Sequence, residues 1–142
     1  MPHNFRQASP ELSHVFGASR PGCPSESVSE REVQEWIASM KEQGIRRVCC
    51  LLEHRELKWF RTDLLEAYRR GFGERNVCHS PIVEHAFCED DQWAEVILPF
   101  LKEGADRGEA VVVHCSLGIG RTGQVLRRAI EALRDRGPGA SR

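Results

Sequence analysis

The chain has 142 residues, a formal net charge of −1 and an apolar fraction of 40%. This length fits one globular domain, and this apolar fraction supports a core, so extensive disorder is not expected. The near-zero net charge gives no general attraction to nucleic acid or to an anionic membrane. No apolar run reaches the ~18 residues that a membrane span needs, and the N-terminus lacks the pattern of a secretory signal. We expect one domain over residues 1–142, located in the cytoplasm, with no nucleic-acid or membrane partner.

The first half of the chain predicts a loop, a helix, a strand and a second helix, in that order. Residues 17–30 are rich in Ser, Pro and Gly, which is typical of a loop. Ser29 and Glu32 have the spacing of a capping box, and apolar residues then recur at helical spacing until Gly44. The apolar run 45–52 predicts a strand. Residues 62–70 predict a second helix that Gly71 ends.

The second half continues the alternation of strands and helices. Residues 77–83 predict a short edge strand, which Pro81 interrupts. Residues 93–101 carry a helical apolar stripe, and Pro99 predicts a kink or an early end there. Residues 110–114 predict a buried strand, and residues 125–133 carry the last helical stripe. This order predicts an α/β fold with a central, mostly parallel sheet flanked by helices.

The six cysteines admit three interpretations. A disulfide frame is typical of small secreted proteins, but without a secretory signal we expect free thiols. Cys49 and Cys50 lie in an apolar run and are expected to be small buried side chains. A zinc site would combine two half-motifs and contains no CxxC pair, so no metal is predicted. The half-motifs are Cys78-His79 and His85-x-x-Cys88.

The segment 111–123 carries the pattern that indicates a reaction. A buried strand enters a short glycine-containing loop, which opens with Cys115, closes with Arg121 and leads into a helix. Backbone N–H groups in such a loop can converge on a tetrahedral anion, the helix adds its positive end, and Arg121 can bind two phosphate oxygens. The same positive potential favours the Cys115 thiolate, a nucleophile for phosphoryl transfer.

Two other interpretations of this segment are weaker. Gly118, Gly120 and Gly123 also match a dinucleotide-binding fingerprint, which needs a further strand and an acidic residue. Only 19 residues follow Gly123, and they are typical of one helix and a tail. A buried cysteine before a tight turn would not account for the coincidence of Cys115, Arg121 and three glycines.

The sequence His-Cys-x5-Arg-Thr-Gly over residues 114–123 resembles the signature loop of the cysteine-dependent protein tyrosine phosphatase superfamily. It is most similar to the small dual-specificity phosphatases of atypical or archaeal type. Residues 4–6, 17–22, 44–48 and 108–111 also resemble segments of that family, so the resemblance spans roughly residues 4–135. It implies a protein tyrosine phosphatase-like fold and hydrolysis of phosphoproteins, at tyrosine and also at serine or threonine, or of small phosphomonoesters, without a metal or cofactor.

The resemblance also implies roles for individual residues. Cys115 would be the nucleophile that forms a phosphocysteine, and Arg121 would bind the phosphate and stabilise the transition state. Thr122 would help to expel the Cys115 thiolate in the second step, and His114 would support that thiolate through hydrogen bonds. The main chain of six consecutive residues would line the phosphate cradle: Ser116, Leu117, Gly118, Ile119, Gly120 and Arg121.

One departure from the family concerns the general acid. The family places an aspartate in a Pro-Ile-Pro-Asp segment, whereas this chain has Pro81-Ile82-Val83-Glu84, with Glu84 31 residues before Cys115. A carboxylic acid can protonate the leaving group, so Glu84 is the predicted acid. Asp90 and Asp91 are the alternatives, although both also fit the capping of the next helix. If no acid acts, the alternative function is a non-catalytic module that binds phosphoproteins.

The other departure is at the end of the chain. Relatives add two closing helices after the signature helix, whereas this sequence ends at Arg142 after a Gly-Pro-Gly stretch. We therefore expect the last helix to expose apolar surface, which a second copy of the chain could cover. A shortened domain or a misplaced gene boundary would give the same sequence.

Overall fold

A five-stranded sheet organises the computed structural model, which describes residues 2–134. The strands are β1 (Arg6–Ser9), β2 (Leu12–Ala18), β3 (Ile45–Cys50), β4 (Val77–His79) and β5 (Ala110–His114). Their order across the sheet is β1-β2-β5-β3-β4. Only β1 pairs antiparallel, with β2, and the other three pairings are parallel. The predicted α/β fold with a mostly parallel sheet is confirmed, while the predicted tail after residue 134 lies outside the described residues.

Helices cover both faces of the sheet. They are α1 (Glu30–Glu42), α2 (His54–Leu57), α3 (Leu64–Phe72), α4 (Asp90–Gln92), α5 (Leu98–Arg107) and α6 (Gly120–Leu133). The predicted capping box of α1 is confirmed, because the Ser29 hydroxyl accepts from the Glu32 N–H at 3.2 Å and the Glu32 carboxylate accepts from the Ser29 N–H at 3.0 Å. The second helix does not end at Gly71. It continues to Phe72, and the absent side chain of Gly71 lets α3 lie close to Ile37 of α1.

Pro99 does not end its helix. A π-helical turn spans Trp93–Ile97, directly before α5, and α5 then runs without interruption to Arg107. The Leu98 N–H donates to the Trp93 carbonyl, so Pro99 lies inside a continuous helical run, where the hydrogen bonding changes from the π to the α pattern. The wide turn before Leu98 accommodates the change in hydrogen bonding.

Each face of the sheet packs against its own apolar cluster, and successive side chains of β5 point alternately into the two clusters. Val112 packs into the cluster under α1 and α3, with Trp36 and Tyr68. Val111 and Val113 face the opposite cluster, under α5 and α6. β5 thereby lies at the centre of the molecule. The carboxyl ends of the four parallel strands meet at one edge of the sheet, which is where α/β proteins place their sites.

The apolar side chains of α6 are largely covered in the described structure. Val125, Leu126 and Ala129 are buried against the sheet. The exposed large apolar residues lie elsewhere: Val83, Phe87, Val96, Leu117 and Ile119. The expectation of exposed apolar surface on the last helix is therefore not met within residues 2–134.

Three further findings bear on the sequence predictions. All six cysteines are free. In residues 2–134, no three His, Cys, Asp or Glu side chains gather as metal ligands. No helix in that same range has both the length and the apolar character to cross a membrane.

Candidate active site

The predicted anion cradle is the loop 115–121 between β5 and α6. Cys115 directly follows β5, and its side chain is almost fully buried. In the described part of the chain, the main-chain N–H groups of residues 116–121 donate to no protein acceptor, so they are available to an anion. Gly118 has a φ of 84°, and a Cβ there would collide with the main chain of Ala18. Only glycine fits this turn, which brings the loop against the end of β2.

Arg121 is fixed by a buried ion pair that the sequence analysis did not identify. Its guanidinium donates to both carboxylate oxygens of Glu56, at 2.8 and 2.9 Å, and to the carbonyl of Ile82 at 2.9 Å. Glu56 is fully buried and Arg121 is 4% exposed. Although burial opposes ionisation, the hydrogen bonds from Arg121 hold the pKa of the Glu56 carboxyl below its usual value. These contacts fix the orientation of the Arg121 guanidinium and hold the group beside the loop 115–121.

Glu56 itself is positioned by the short helix after β3. Helix α2 has a reciprocal cap in which the Glu53 N–H donates to the Glu56 carboxylate at 2.7 Å. The carboxylate therefore has a backbone donor as well as Arg121. A four-residue helix has no apolar periodicity, and Glu56 is 65 residues from Arg121. The sequence carried no local signal for this pair.

His114 is a neutral, buried histidine between the loop 115–121 and the core. Burial lowers its pKa to about 4. Its Nδ1 lies 2.9 Å from the Cys115 carbonyl, which can only accept, so Nδ1 carries the proton. The neutral Nε2 then accepts from the Tyr68 hydroxyl at 2.8 Å. His114 thus fixes the backbone of Cys115, and it does so without a positive charge.

A pocket of about 270 Å³ opens over the cradle. Its floor includes Cys115 and Arg121, and residues 84–87 form the opposite wall. Four of the six predicted cradle residues line it, namely Ser116, Leu117, Gly120 and Arg121. Gly118 turns toward β2 instead, and the Ile119 side chain is exposed.

Glu84 lies on the wall of this pocket and forms a second ion pair. Its carboxylate accepts from Arg55 at 3.0 Å, and its N–H donates to the Glu53 carboxylate at 3.1 Å. The side chain is 43% exposed. An acid catalyst must hold a proton before it transfers one, and the Arg55 contact occupies one of the two carboxylate oxygens. The role of Glu84 stays a prediction.

The alternative acids lie outside the Cys115 pocket. Asp90 is bound to Arg128 at 2.8 Å, and Asp91 lines a separate cavity beside Pro81. Both residues occupy the first turn of α4, where acidic side chains favour the helix, although the capping position itself is Glu89.

The Thr122 hydroxyl is buried and has no hydrogen-bond partner among the described residues. It therefore does not contact the Cys115 sulfur in this arrangement. The role that the resemblance implies for Thr122 stays a prediction.

Two glutamines, which the sequence analysis did not single out, hold the wall that carries Glu84. The Gln124 amide donates to the Ala86 carbonyl at 2.7 Å and accepts from the Cys88 N–H at 2.8 Å. Gln92 donates to the Ser80 hydroxyl at 2.7 Å. The segment 80–88 is thus anchored to α4 and α6 without belonging to a strand.

Comparison with known proteins gives a family assignment. Residues 22–131 match the Tc-R-P family, described as "Polymorphic toxin system, DSP-PTPase phosphatase". The comparison with curated proteins found no match.

Solved structures of phosphatases share the fold. The crystal structure of Tk-PTP in the active form is 26% identical, and the match covers 99% of this chain and 88% of that one, with a TM-score of 0.65. Kinase associated phosphatase (KAP), with serine replacing its catalytic-site cysteine, is 22% identical, with a TM-score of 0.67 over 84% of this chain and 67% of that one. Cydia pomonella PTP-2 phosphatase is 14% identical, with a TM-score of 0.57 over 90% and 69%.

The family match covers more than half of the chain, and its name agrees with the Cys115-to-Arg121 loop and with the folds of these structures. The protein belongs to the Tc-R-P family of dual-specificity-type protein tyrosine phosphatases.

Proposed function

We propose that the protein hydrolyses phosphomonoesters through a phosphocysteine intermediate. The observation that carries this proposal is the buried Cys115 below unengaged loop amides, beside an Arg121 that Glu56 holds in place. Amides, helix end and guanidinium all stabilise the negative charge of a transferring phosphoryl group. The same groups stabilise the attacking thiolate.

The reaction has two displacements at phosphorus. The Cys115 sulfur forms a bond to phosphorus while the bond to the leaving oxygen breaks, and that oxygen takes a proton from Glu84. Water then attacks phosphorus and gives a proton to Glu84, inorganic phosphate leaves, and the sulfur regains its electron pair. Thr122 would stabilise the departing thiolate in the second step.

The proposed substrates are phosphoproteins, at tyrosine and also at serine or threonine. The pocket wall carries Phe87, which is 84% exposed, and the rim carries Leu117, which is 55% exposed. Exposed apolar side chains beside a phosphate site suit an aryl leaving group. We place this enzyme, as one domain over residues 1–142, in the cytoplasm, where free thiols such as its six cysteines persist.

A binding module is the second candidate, because of one observation. The Glu84 carboxylate accepts from Arg55 at 3.0 Å, so one of its two oxygens is engaged outside the cradle. The cradle would then bind phosphorylated ligands without turnover.

Hydrolysis of p-nitrophenyl phosphate by the wild type and by Cys115→Ser separates the two functions. A phosphatase shows turnover in the wild type and less than about 1% in the variant, because only the nucleophile is lost. Both proteins should bind tungstate, a tetrahedral oxyanion, by calorimetry. Tungstate binding without turnover in the wild type would support the binding module, and full activity of Cys115→Ser would contradict the assigned nucleophile.

A further inference from the structure

We propose that Arg20, together with Asn4, is a positioning element that holds the anion cradle in its binding conformation. Neither residue belongs to the signature loop. The proposal rests on the proposed function, because it concerns the same phosphate site. The argument starts from the contacts of Ser116, the first cradle residue after the nucleophile.

Arg20 binds Ser116 twice. The Arg20 N–H donates to the Ser116 carbonyl at 2.9 Å, and its side-chain Nε donates to the Ser116 hydroxyl at 3.0 Å. Both contacts engage oxygen atoms of Ser116, and the main-chain N–H groups of Ser116 and Leu117 donate to no acceptor in the described residues. The Ser116 carbonyl shares its peptide plane with the Leu117 N–H, so fixing the carbonyl also fixes the direction of the Leu117 N–H.

The Arg20 side chain is itself held rigidly. It is 1% exposed, its Nη1 donates to the Pro21 carbonyl at 3.1 Å, and its guanidinium lies 4.7 Å from the Trp59 ring centre. In the described part of the chain, no carboxylate lies within ion-pairing distance of it. Burying a cation without a negatively charged partner costs free energy of folding. An anion bound in the adjacent cradle would reduce that cost.

The next two cradle residues contact the same part of the chain. The Asn4 side-chain amide donates to the Leu117 carbonyl at 3.1 Å. Gly118 lies so close to Ala18 that no side chain fits between them. Residues 116, 117 and 118 are therefore each braced by the segments around Asn4 and Arg20, which the family resemblance matched but for which no role was assigned.

Variants at Arg20 test the proposal through oxyanion affinity and kinetics. Arg20→Met removes both the charge and the Nε donor. We expect a kcat/KM loss of roughly 10²-fold on p-nitrophenyl phosphate, the scale of a misplaced catalytic group. Tungstate affinity should fall at least about tenfold, the scale of one charge-assisted hydrogen bond. Asn4→Ala should show a smaller loss in the same direction.

Two further variants separate positioning from folding. Arg20→Lys keeps the charge without the Nε donor and should recover part of the tungstate affinity. Ser116→Ala removes the acceptor, so its effect and that of Arg20→Lys should be non-additive. Arg31→Met, at an exposed ion pair on α1, is the control and should leave all values unchanged.

Tungstate affinity is read by protection of Cys115 from iodoacetate, which requires no turnover. An inactive wild type would therefore contradict the proposed enzyme, and the loss or retention of protection in Arg20→Met would still support or overturn the role of Arg20. Unchanged protection and unchanged kinetics in Arg20→Met would overturn the inference. A second result would also overturn the inference: activity that falls only in proportion to the folded fraction, with KM and protection as in the wild type. That result is expected if Arg20 only stabilises the fold.

Discussion

Replacing Glu56 by glutamine tests the ion pair that positions Arg121. The substitution keeps the size and shape of the side chain but replaces one carboxylate oxygen by an NH2 group, which can only donate. One Arg121 nitrogen, now bonded at 2.8 or 2.9 Å to an oxygen, would then face a second donor. The guanidinium charge would also lose its compensating charge in a site where Glu56 is fully buried.

The expected magnitude follows from that burial. Removing one partner of a buried ion pair destabilises a protein by about 3–5 kcal/mol, and the conserved shape of glutamine favours the lower figure. For a domain of this size, about 3 kcal/mol lowers Tm by about 10 °C. A shift of the guanidinium by about 1 Å would reduce kcat/KM by roughly 10²-fold. The loss should fall mainly on kcat/KM for phosphate esters, because Arg121 binds the phosphoryl group in the proposed reaction.

Thermal unfolding and p-nitrophenyl phosphate hydrolysis measure the two effects. Glu66→Gln is the matched control, since Glu66 forms only exposed ion pairs on α3, which contribute about 1 kcal/mol at most. A Glu56→Gln protein with a Tm within 2 °C of wild type and unchanged kcat/KM would refute the assigned role of the pair.

Three further predictions concern the cradle, the wall and the histidine. Iodoacetate at mildly acidic pH should label Cys115 first among the six thiols, and phosphate or vanadate should protect it; equal labelling of all six would contradict a cradle that stabilises its thiolate. Glu84→Gln should lose little activity on p-nitrophenyl phosphate, whose leaving group departs unaided, and roughly 10²-fold or more on a phosphotyrosine peptide. Equal losses on both substrates would show that Glu84 is not the acid. The substrate-dependent loss in Asp91→Asn instead would assign the acid to Asp91. Because burial lowers the pKa of His114 to about 4, the unfolded chain binds a proton below about pH 6.5 that the folded chain does not. The free energy of unfolding should therefore fall by about 3 kcal/mol as the pH drops from 6.5 to 4, and urea midpoints of His114→Asn should lack this component.

Local patterns were sufficient to predict the strand-loop-helix unit of the site. The residues from β5 to α6 are consecutive, so the strand, the glycine turn and the helix can each be inferred from a few neighbours. The capping box of α1 was predictable for the same reason. Placing Glu84 near Cys115 needed the family resemblance, because two separate strands bring them to one pocket.

Contacts between distant segments were not predictable. Glu56 reaches Arg121 only because β3 and β5 are neighbours and α2 follows β3. The hairpin of β1 and β2 was missed because β1 has four residues, none of them buried, and part of β2 lies in a stretch rich in loop-forming residues. The π-helical turn before α5 was not predicted, because Pro99 indicated only a kink or an early end, whereas the helix continues to Arg107.

The central place of β5 has a consequence for how the protein opens under mild denaturation. Its amides are hydrogen-bonded between β2 and β3, and Val111, Val112 and Val113 are fully buried. Such amides exchange hydrogen with solvent only when the whole domain unfolds. The strand that presents Cys115 should therefore be among the last parts of the molecule to exchange.

Residues 83–88 should behave differently. Ser80 and Ile82 still donate backbone hydrogen bonds to Cys50 and Leu51, whereas the later residues are held through side chains such as Gln124. The amides of residues 83–88 should exchange through local opening, at a lower free energy than those of β5. At low urea concentrations the wall of the pocket would detach while the cradle persists. Hydrolysis of substrates that need an acid should then decline before Cys115 loses its selective reactivity, so the two activities would report two separate unfolding steps.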